Sequence, residues 1–318
     1  MSPTLYERAR LDLCYDSLTG LSVGDALGAQ FFMVGRSLAD LRAGIPPPPV
    51  WDWTDDTEMA CTLAAELRDH GTVDSPADQD RLAYDFADRC EPYRGYGAGA
   101  VVCLHAIRDG MPWREAAGRL FGGEGSCGNG AAMRVAPLGA YFAGDPVRAA
   151  AQATASAEVT HTHPEGIAGA VVVAVAAAQA ASARISGIRP TGASFLEKLR
   201  AYAGEGQLAR GMDRAERLLG RSGLPSVEEA AYELGNGSRV TAQDTVPFAM
   251  WVAGTYLHDY PAAITACVEA GGDVDTTAAI VGGVVAAFTS VGGRPEVNGV
   301  PPTWVDAREP LPGWCERS

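Results

Sequence analysis

The sequence predicts an all-α fold, and three observations predict it. Few segments alternate apolar and polar residues with the period of two that a half-buried strand requires. Alanine-rich stretches of helical length recur along the whole chain. No stretch has the character of an interdomain linker, and 318 residues, although long for one domain, do not exclude one.

The helices can be taken in order. From Met59, the residues Ala60, Leu63, Ala64 and Leu67 fall on one helical face. Ala149–Ala157, Gly166–Ala183, Val246–Tyr256, Ala262–Ala270 and Thr276–Thr289 read as further helices. The last is apolar on every side and should be central, with Gly282 and Gly283 allowing a neighbour to approach closely. Gly166–Ala183 is borderline in length for a membrane span. It is mostly Ala, Val and Gly and includes Gln179 and Ser182, which marks a buried core helix instead. Ala183–Thr191 and Gly204–Gly211 read as surface loops. The stiff run Pro46–Pro49 reads as a loop across a site entrance.

Composition narrows the function classes. Apolar residues make up 47%, enough for a sizeable core. The net charge of −14 repels nucleic acid and anionic membrane, so neither is an expected partner. An anionic ligand would have to be held by local groups. Seven scattered cysteines with no C-x-x-C pair argue for a reducing, cytoplasmic setting without disulfides. The first twelve residues carry charges and no apolar run, so no secretory leader is expected. Nothing marks an oligomer interface, and a monomer is the working expectation.

Two acidic clusters each precede an apolar helix: Trp53-Thr54-Asp55-Asp56-Thr57-Glu58 and Gly271-Gly272-Asp273-Val274-Asp275-Thr276. Either one alone reads equally as a helix N-terminus, where Asp and Thr satisfy free N–H groups and complement the dipole. Together they place repelling carboxylates in apolar surroundings, at a cost a divalent cation would remove. Oxygen donors alone select a hard ion, Mg²⁺ or Mn²⁺. Zinc is excluded as the expectation, because His161-x-His163 has no evident third ligand.

A glycine-rich segment, Phe121-Gly122-Gly123-Glu124-Gly125-Ser126-Cys127-Gly128-Asn129-Gly130, comes before Ala131-Ala132-Met133-Arg134. Successive N–H groups in such a loop can cradle an anion, helped by a following helix. The other reading is an ordinary flexible loop. Arg134 and His161 are candidate phosphate partners, or else a structural cation and a core histidine.

These segments, with Gly24-Asp25-Ala26-Leu27-Gly28, Arg94-Gly95-Tyr96-Gly97-Ala98-Gly99, Thr160-His161 and Leu234-Gly235-Asn236-Gly237, occur in an order that resembles the ADP-ribosylglycohydrolase family over nearly the whole chain. The branch it is most similar to removes serine-linked ADP-ribose and degrades poly(ADP-ribose). The resemblance implies a compact, single-domain bundle of many helices over residues 1–318. It implies two Mg²⁺ ions (or Mn²⁺) on Thr54, Asp55, Asp56, Asp273, Asp275 and Thr276, with Asp55, Asp56 or Asp273 accepting a proton. It implies a diphosphate held by Gly125, Ser126, Cys127, Gly128, Asn129, Gly130 and His161, with Arg134 as a further candidate. Adenine would stack on Phe121 beside Asn236, Gly237 and Ser238. The expected activity is hydrolysis of the ribose C1″ bond in ADP-ribosylated proteins, serine-linked or arginine-linked, or in ADP-ribose polymers. The sequence departs from the family at Phe32, where a glutamate is usual. That leaves a nucleotide-binding protein without turnover as the alternative.

Overall fold

The computed structural model describes residues 7–316. Residues 1–6, part of the segment expected to lack a leader, lie outside them. Among the described residues, seventeen α-helices and five short 3₁₀ turns follow one another, and β-pairing is limited to isolated bridges. Ten helices carry the architecture: α1 (Glu7–Ala29), α2 (Asp55–His70), α3 (Ala136–Tyr141), α4 (Pro146–Glu158), α5 (Pro164–Ser186), α6 (Gln207–Leu219), α7 (Val227–Leu234), α8 (Ala242–Thr255), α9 (Tyr260–Ala270) and α10 (Val274–Thr289). The all-α expectation holds.

Helix α10 is the axis. Every residue from Thr276 to Thr289 is buried, as its unbroken apolar sequence requires. Helix α1 lies antiparallel against it along Gly20, Gly24 and Gly28, spaced one turn apart on one face. A Cβ at Gly24 would stand 2.2 Å from the Ala278 carbonyl oxygen, and one at Gly28 would stand 2.8 Å from Asp275 Cα. The two backbones are therefore in direct contact. On another flank, Gly283 meets Ala136 of α3. This packing delivers Asp25, on the last turns of α1, to the N-terminus of α10.

Helix α5 is a core helix, with 72% of its most apolar stretch buried inside the protein. Both expected loops are shorter than the sequence implied. Helix α5 continues past Ala183 until Gly187, in the left-handed conformation, ends it. Helix α6 begins at Gln207, within the expected Gly204–Gly211 loop, because Leu208, Ala209, Met212 and Ala215 form a face that the core buries. The Pro46–Pro49 run is fastened by Trp51 Nε1, which donates to Pro47 O at 3.0 Å. It contributes nothing to the wall of the cavity at Thr54.

Candidate functional site

Helices α2 and α10 begin at the same place, and both begin acidic. Thr54 is the N-cap of α2, with Asp55, Asp56 and Glu58 in its first turn. Asp273 is the N-cap of α10, with Asp275 following. Two positive helix ends facing a shared space favour this negative charge. The two N-termini touch where the Thr276 hydroxyl approaches Asp56 Oδ2 at 3.5 Å. Thr54 Oγ1 lies 3.1 Å from the same oxygen. The two acidic clusters are thus one site.

Asp25 belongs to it as well, and the sequence reading omitted it. One oxygen each from Asp25, Asp56 and Asp275 lie within 4.8 Å of one another, a group able to hold a metal ion. Asp25 also ties α1 to the start of α2. Its Oδ2 accepts from Thr54 N (2.9 Å), Thr57 N (3.2 Å) and Thr57 Oγ1 (2.5 Å), and its Oδ1 accepts from Thr54 Oγ1 (2.8 Å). Its signal in the sequence was a single acid within the glycine-spaced, otherwise uncharged stretch Gly20–Gly28 of α1.

The electrostatics fit a cation. Burial, reinforced by neighbouring carboxylates, pushes Asp55 up to about 7 and Asp275 to about 8. Burial likewise raises Asp25 to about 6, against the hydrogen bonds from Thr57 and Thr54. Asp56 is raised well above its ordinary value, by burial and then by Asp25 and Asp275. Asp273 is raised mainly by burial, against the Asn129 hydrogen bond. Among the described residues, none of these five carboxylates forms an ion pair. The buried Oδ1 of Asp56 has no partner at all. A buried acceptor left unmatched is costly, and a divalent ion held by carboxylate and hydroxyl oxygens would satisfy it.

Two braces hold the first turn of α2. Arg94 lies over the Trp53 ring, 3.3 Å from its centroid. It also donates to Trp53 O and forms two bonds to Glu309, at 2.7 and 2.9 Å. On the other side, Glu58 accepts from Tyr96 OH (2.7 Å) and Glu91 N (3.0 Å). Gly95, between the braces, lets the backbone pass beside Asp55. A cavity of about 440 Å³ opens here, lined by Gln30, Trp53, Thr54, Tyr93, Arg94 and Glu309. Phe32 projects at the surface, 58% exposed.

The glycine-rich segment is wrapped around His161. A Cβ at Gly125, where φ is +77°, would lie 1.9 Å from Thr162 Oγ1, so only glycine fits. Gly128 and Gly130 both pack against the imidazole. Ser126 Oγ accepts from Gly128 N at 3.1 Å, and Cys127 is half-buried between them. Asn129 joins the loop to the acidic centre, its Nδ2 donating to Asp273 Oδ2 at 2.7 Å. Phe121 is 64% exposed and held at φ +52°, a strained conformation for an aromatic residue. The helix expected after the loop is only Gly130–Met133, so its dipole adds little.

Arg134 requires a correction. It is wholly buried, lies over the Phe86 ring, and donates to Ser156 O (2.8 Å) and Thr160 Oγ1 (3.0 Å). Without surface, it cannot touch a ligand. It acts instead through Thr160, whose hydroxyl stands 2.8 Å from His161 Nδ1. The Thr160 proton has two acceptors in reach, His161 Nδ1 at 2.8 Å and Ala157 O at 3.5 Å, and the nearer favours the tautomer with Nε2–H facing the glycine loop. Burial and then Arg134 drive His161 down to about 3, so the imidazole is neutral.

Asn236, Gly237 and Ser238 sit against the start of α10. Asn236 O accepts from Asp273 N at 3.1 Å, and Asn236 Nδ2 donates to Ala270 O at 2.9 Å. Gly237 packs on Asp273, while Ser238 is exposed. The strap from Gly235 to Thr241 then pairs with the glycine loop through Gly128 and Thr241.

Known proteins share this chain's sequence pattern and fold. The chain is 28% identical over 340 residues to the ADP-ribosylhydrolase ARH3 of Gallus gallus, covering 92% of this chain and 88% of that protein. It is 32% identical over 280 residues to an uncharacterized protein of Archaeoglobus fulgidus, with 84% of each chain covered. A solved structure described as an ADP-ribosylglycohydrolase-related protein complex superposes with a TM-score of 0.64. It is 24% identical and the match covers 95% of this chain and 94% of that one, which shows a shared fold. The family model described as ADP-ribosylglycohydrolase matches residues 2–317, and the chain belongs to that family.

Proposed function

We propose that the protein is a metal-dependent ADP-ribosylhydrolase that cleaves the ribose C1″ glycosidic bond of ADP-ribosylated side chains, serine-linked in preference to arginine-linked, or of ADP-ribose polymers. The observation that carries this reading is the convergence of two acidic helix N-termini beside a glycine loop that encloses a neutral histidine. Thr54, Asp55, Asp56, Asp273, Asp275 and Thr276 would hold two Mg²⁺ or Mn²⁺ ions, with Asp25 holding Thr54 in place. Such ions, when bound, supply Lewis acidity toward ribose hydroxyls and water and offset the carboxylate charge.

The protein's own groups supply the rest. Loop N–H groups and His161 Nε2–H offer donors to a diphosphate without bringing a positive charge into contact with it. Phe121 offers a flat face to a base. Asp273 is engaged by Asn129 and Asp56 is buried, whereas Asp55 is partly exposed and accepts no side-chain hydrogen bond among the described residues. Asp55 is therefore the carboxylate best placed to accept a proton from an attacking water.

Phe32 favours a second reading, a nucleotide binder without turnover. The two readings separate when Mg²⁺ is titrated into chelator-treated protein while free ADP-ribose is measured. The hydrolase reading expects metal-dependent release. The variant Phe32→Glu should raise that release about a hundredfold, the lower end of what a positioned acid or base contributes. Tight binding of ADP-ribose with no release at any metal concentration would establish the binder.

A further inference from the structure

On the outer face of the Gly235–Thr241 strap lies a cavity of about 490 Å³. Arg210, Arg214, Tyr232, Arg239, Thr241 and Gln243 line it. Three guanidinium groups gather here in a chain whose net charge is −14. Arg210 and Arg214 are one turn apart on α6, where like charges repel and weaken the helix. Little of the charge is used by the fold. Arg214 Nε donates to Glu233 O at the end of α7 (3.1 Å). The Arg239 guanidinium, 82% exposed, stands 3.9 Å from the Asp244 carboxylate. The Arg210 side chain has no hydrogen bond or ion pair among the described residues. Glu233 and Asp244 are the cavity's acids. Asp244 is already occupied by Arg239 N at 3.0 Å.

Tyr232 adds an aromatic face that is 90% exposed. Guanidinium groups suit phosphate oxygens, and an aromatic face suits a base. The combination matches a nucleotide. The strap is also a wall of the acidic centre, because Gly237 packs on Asp273 and Thr241 pairs with Gly128.

We propose that this cavity is a second nucleotide subsite. It would hold the neighbouring nucleoside-diphosphate unit of an ADP-ribose chain whose first unit occupies the glycine loop and acidic centre. The proposal rests on the hydrolase reading above for the identity of the chain. It assigns Arg210 and Arg239 to chain-length specificity and gives them no part in bond cleavage.

The test compares the full-length protein with Arg210→Ala, Arg210→Lys and the double variant Arg210→Ala/Arg239→Ala. Two substrates are used with Mg²⁺: ADP-ribose oligomers of several units and a peptide carrying a single ADP-ribose. The double variant should raise KM for oligomers about tenfold, equal to the loss of about one charge-assisted hydrogen bond. It should leave the single-unit peptide unchanged, and Arg210→Lys should retain most of the oligomer preference. Equal effects on both substrates, or none on oligomers, would overturn the subsite. If the unaltered protein releases nothing from either substrate, the hydrolase reading has failed. Binding of labelled oligomers by fluorescence anisotropy then decides the subsite by itself: weaker binding by the double variant supports it, and unchanged binding overturns it.

Discussion

At Asp56, one carboxylate oxygen meets the hydroxyls of Thr54 and Thr276 while the other is buried without a partner. Neighbouring carboxylates surround it, and burial holds Asp25, Asp55 and Asp275 at about 6, 7 and 8, above their ordinary value of 3.8. A carboxyl whose folded value is raised favours folding most below its ordinary range and loses that contribution as pH climbs through the raised value. In chelator, the melting temperature should therefore fall between about pH 4 and pH 8, and Mg²⁺ should suppress the fall. Asp275→Asn should flatten the pH dependence, keep the fold and lower turnover about a hundredfold. Thermal melts with and without metal check both expectations, and full turnover by Asp275→Asn would refute its role as a ligand. His161 shifts the other way, to about 3. Nucleotide binding should then show no inflection near pH 6.5 from this group. Thr160→Val removes the proton offered to His161 Nδ1 and should weaken ADP-ribose binding about tenfold. Thr160→Ser should restore it, as calorimetry would show.

The contact between α1 and α10 sets where the acidic groups meet. A methyl group at Gly24 would meet the Ala278 carbonyl at 2.2 Å. Gly24→Ala should thus push the helices apart, cost about 1–3 kcal/mol of stability and displace Asp25. Denaturant unfolding measures the first effect, and loss of Mg²⁺-induced stabilisation measures the second. This contact also shows what the sequence made legible. The apolar run Thr276–Thr289 announced a central helix, and the paired acidic motifs announced a shared site. Helix α1 was not among the predicted helices: its Gly20, Gly24 and Gly28 are unfavourable inside a helix taken alone and fit only against the surface that α10 supplies. Asp25 was overlooked for the same reason, since its meaning depends on Thr54 and Thr57, distant in the chain. Arg134 was left between a ligand contact and a structural cation, because a charged residue beside a glycine loop suits either. Only the fold shows it wholly buried, acting through Thr160.

Over the whole molecule, the candidate site lies at the N-terminal end of the α10 axis. Helix α5 passes the length and hydropathy test for a membrane span, yet it is a buried element of the core. All seven cysteines are free thiols, so covalent cross-links do not hold the fold. The net charge of −14 repels anionic ligands from most of the surface. Under the proposed function, local donors do the binding: the glycine loop at the acidic centre, and Arg210 and Arg239 beyond the strap. The central claim is that the acidic centre turns over ADP-ribosyl substrates, and release of free ADP-ribose from serine-linked and arginine-linked peptides, run side by side with Mg²⁺ and with chelator, tests it most directly. Release with Mg²⁺ that chelator abolishes, faster from the serine-linked peptide, is the result predicted. No release from either peptide by folded, Mg²⁺-loaded protein would contradict it.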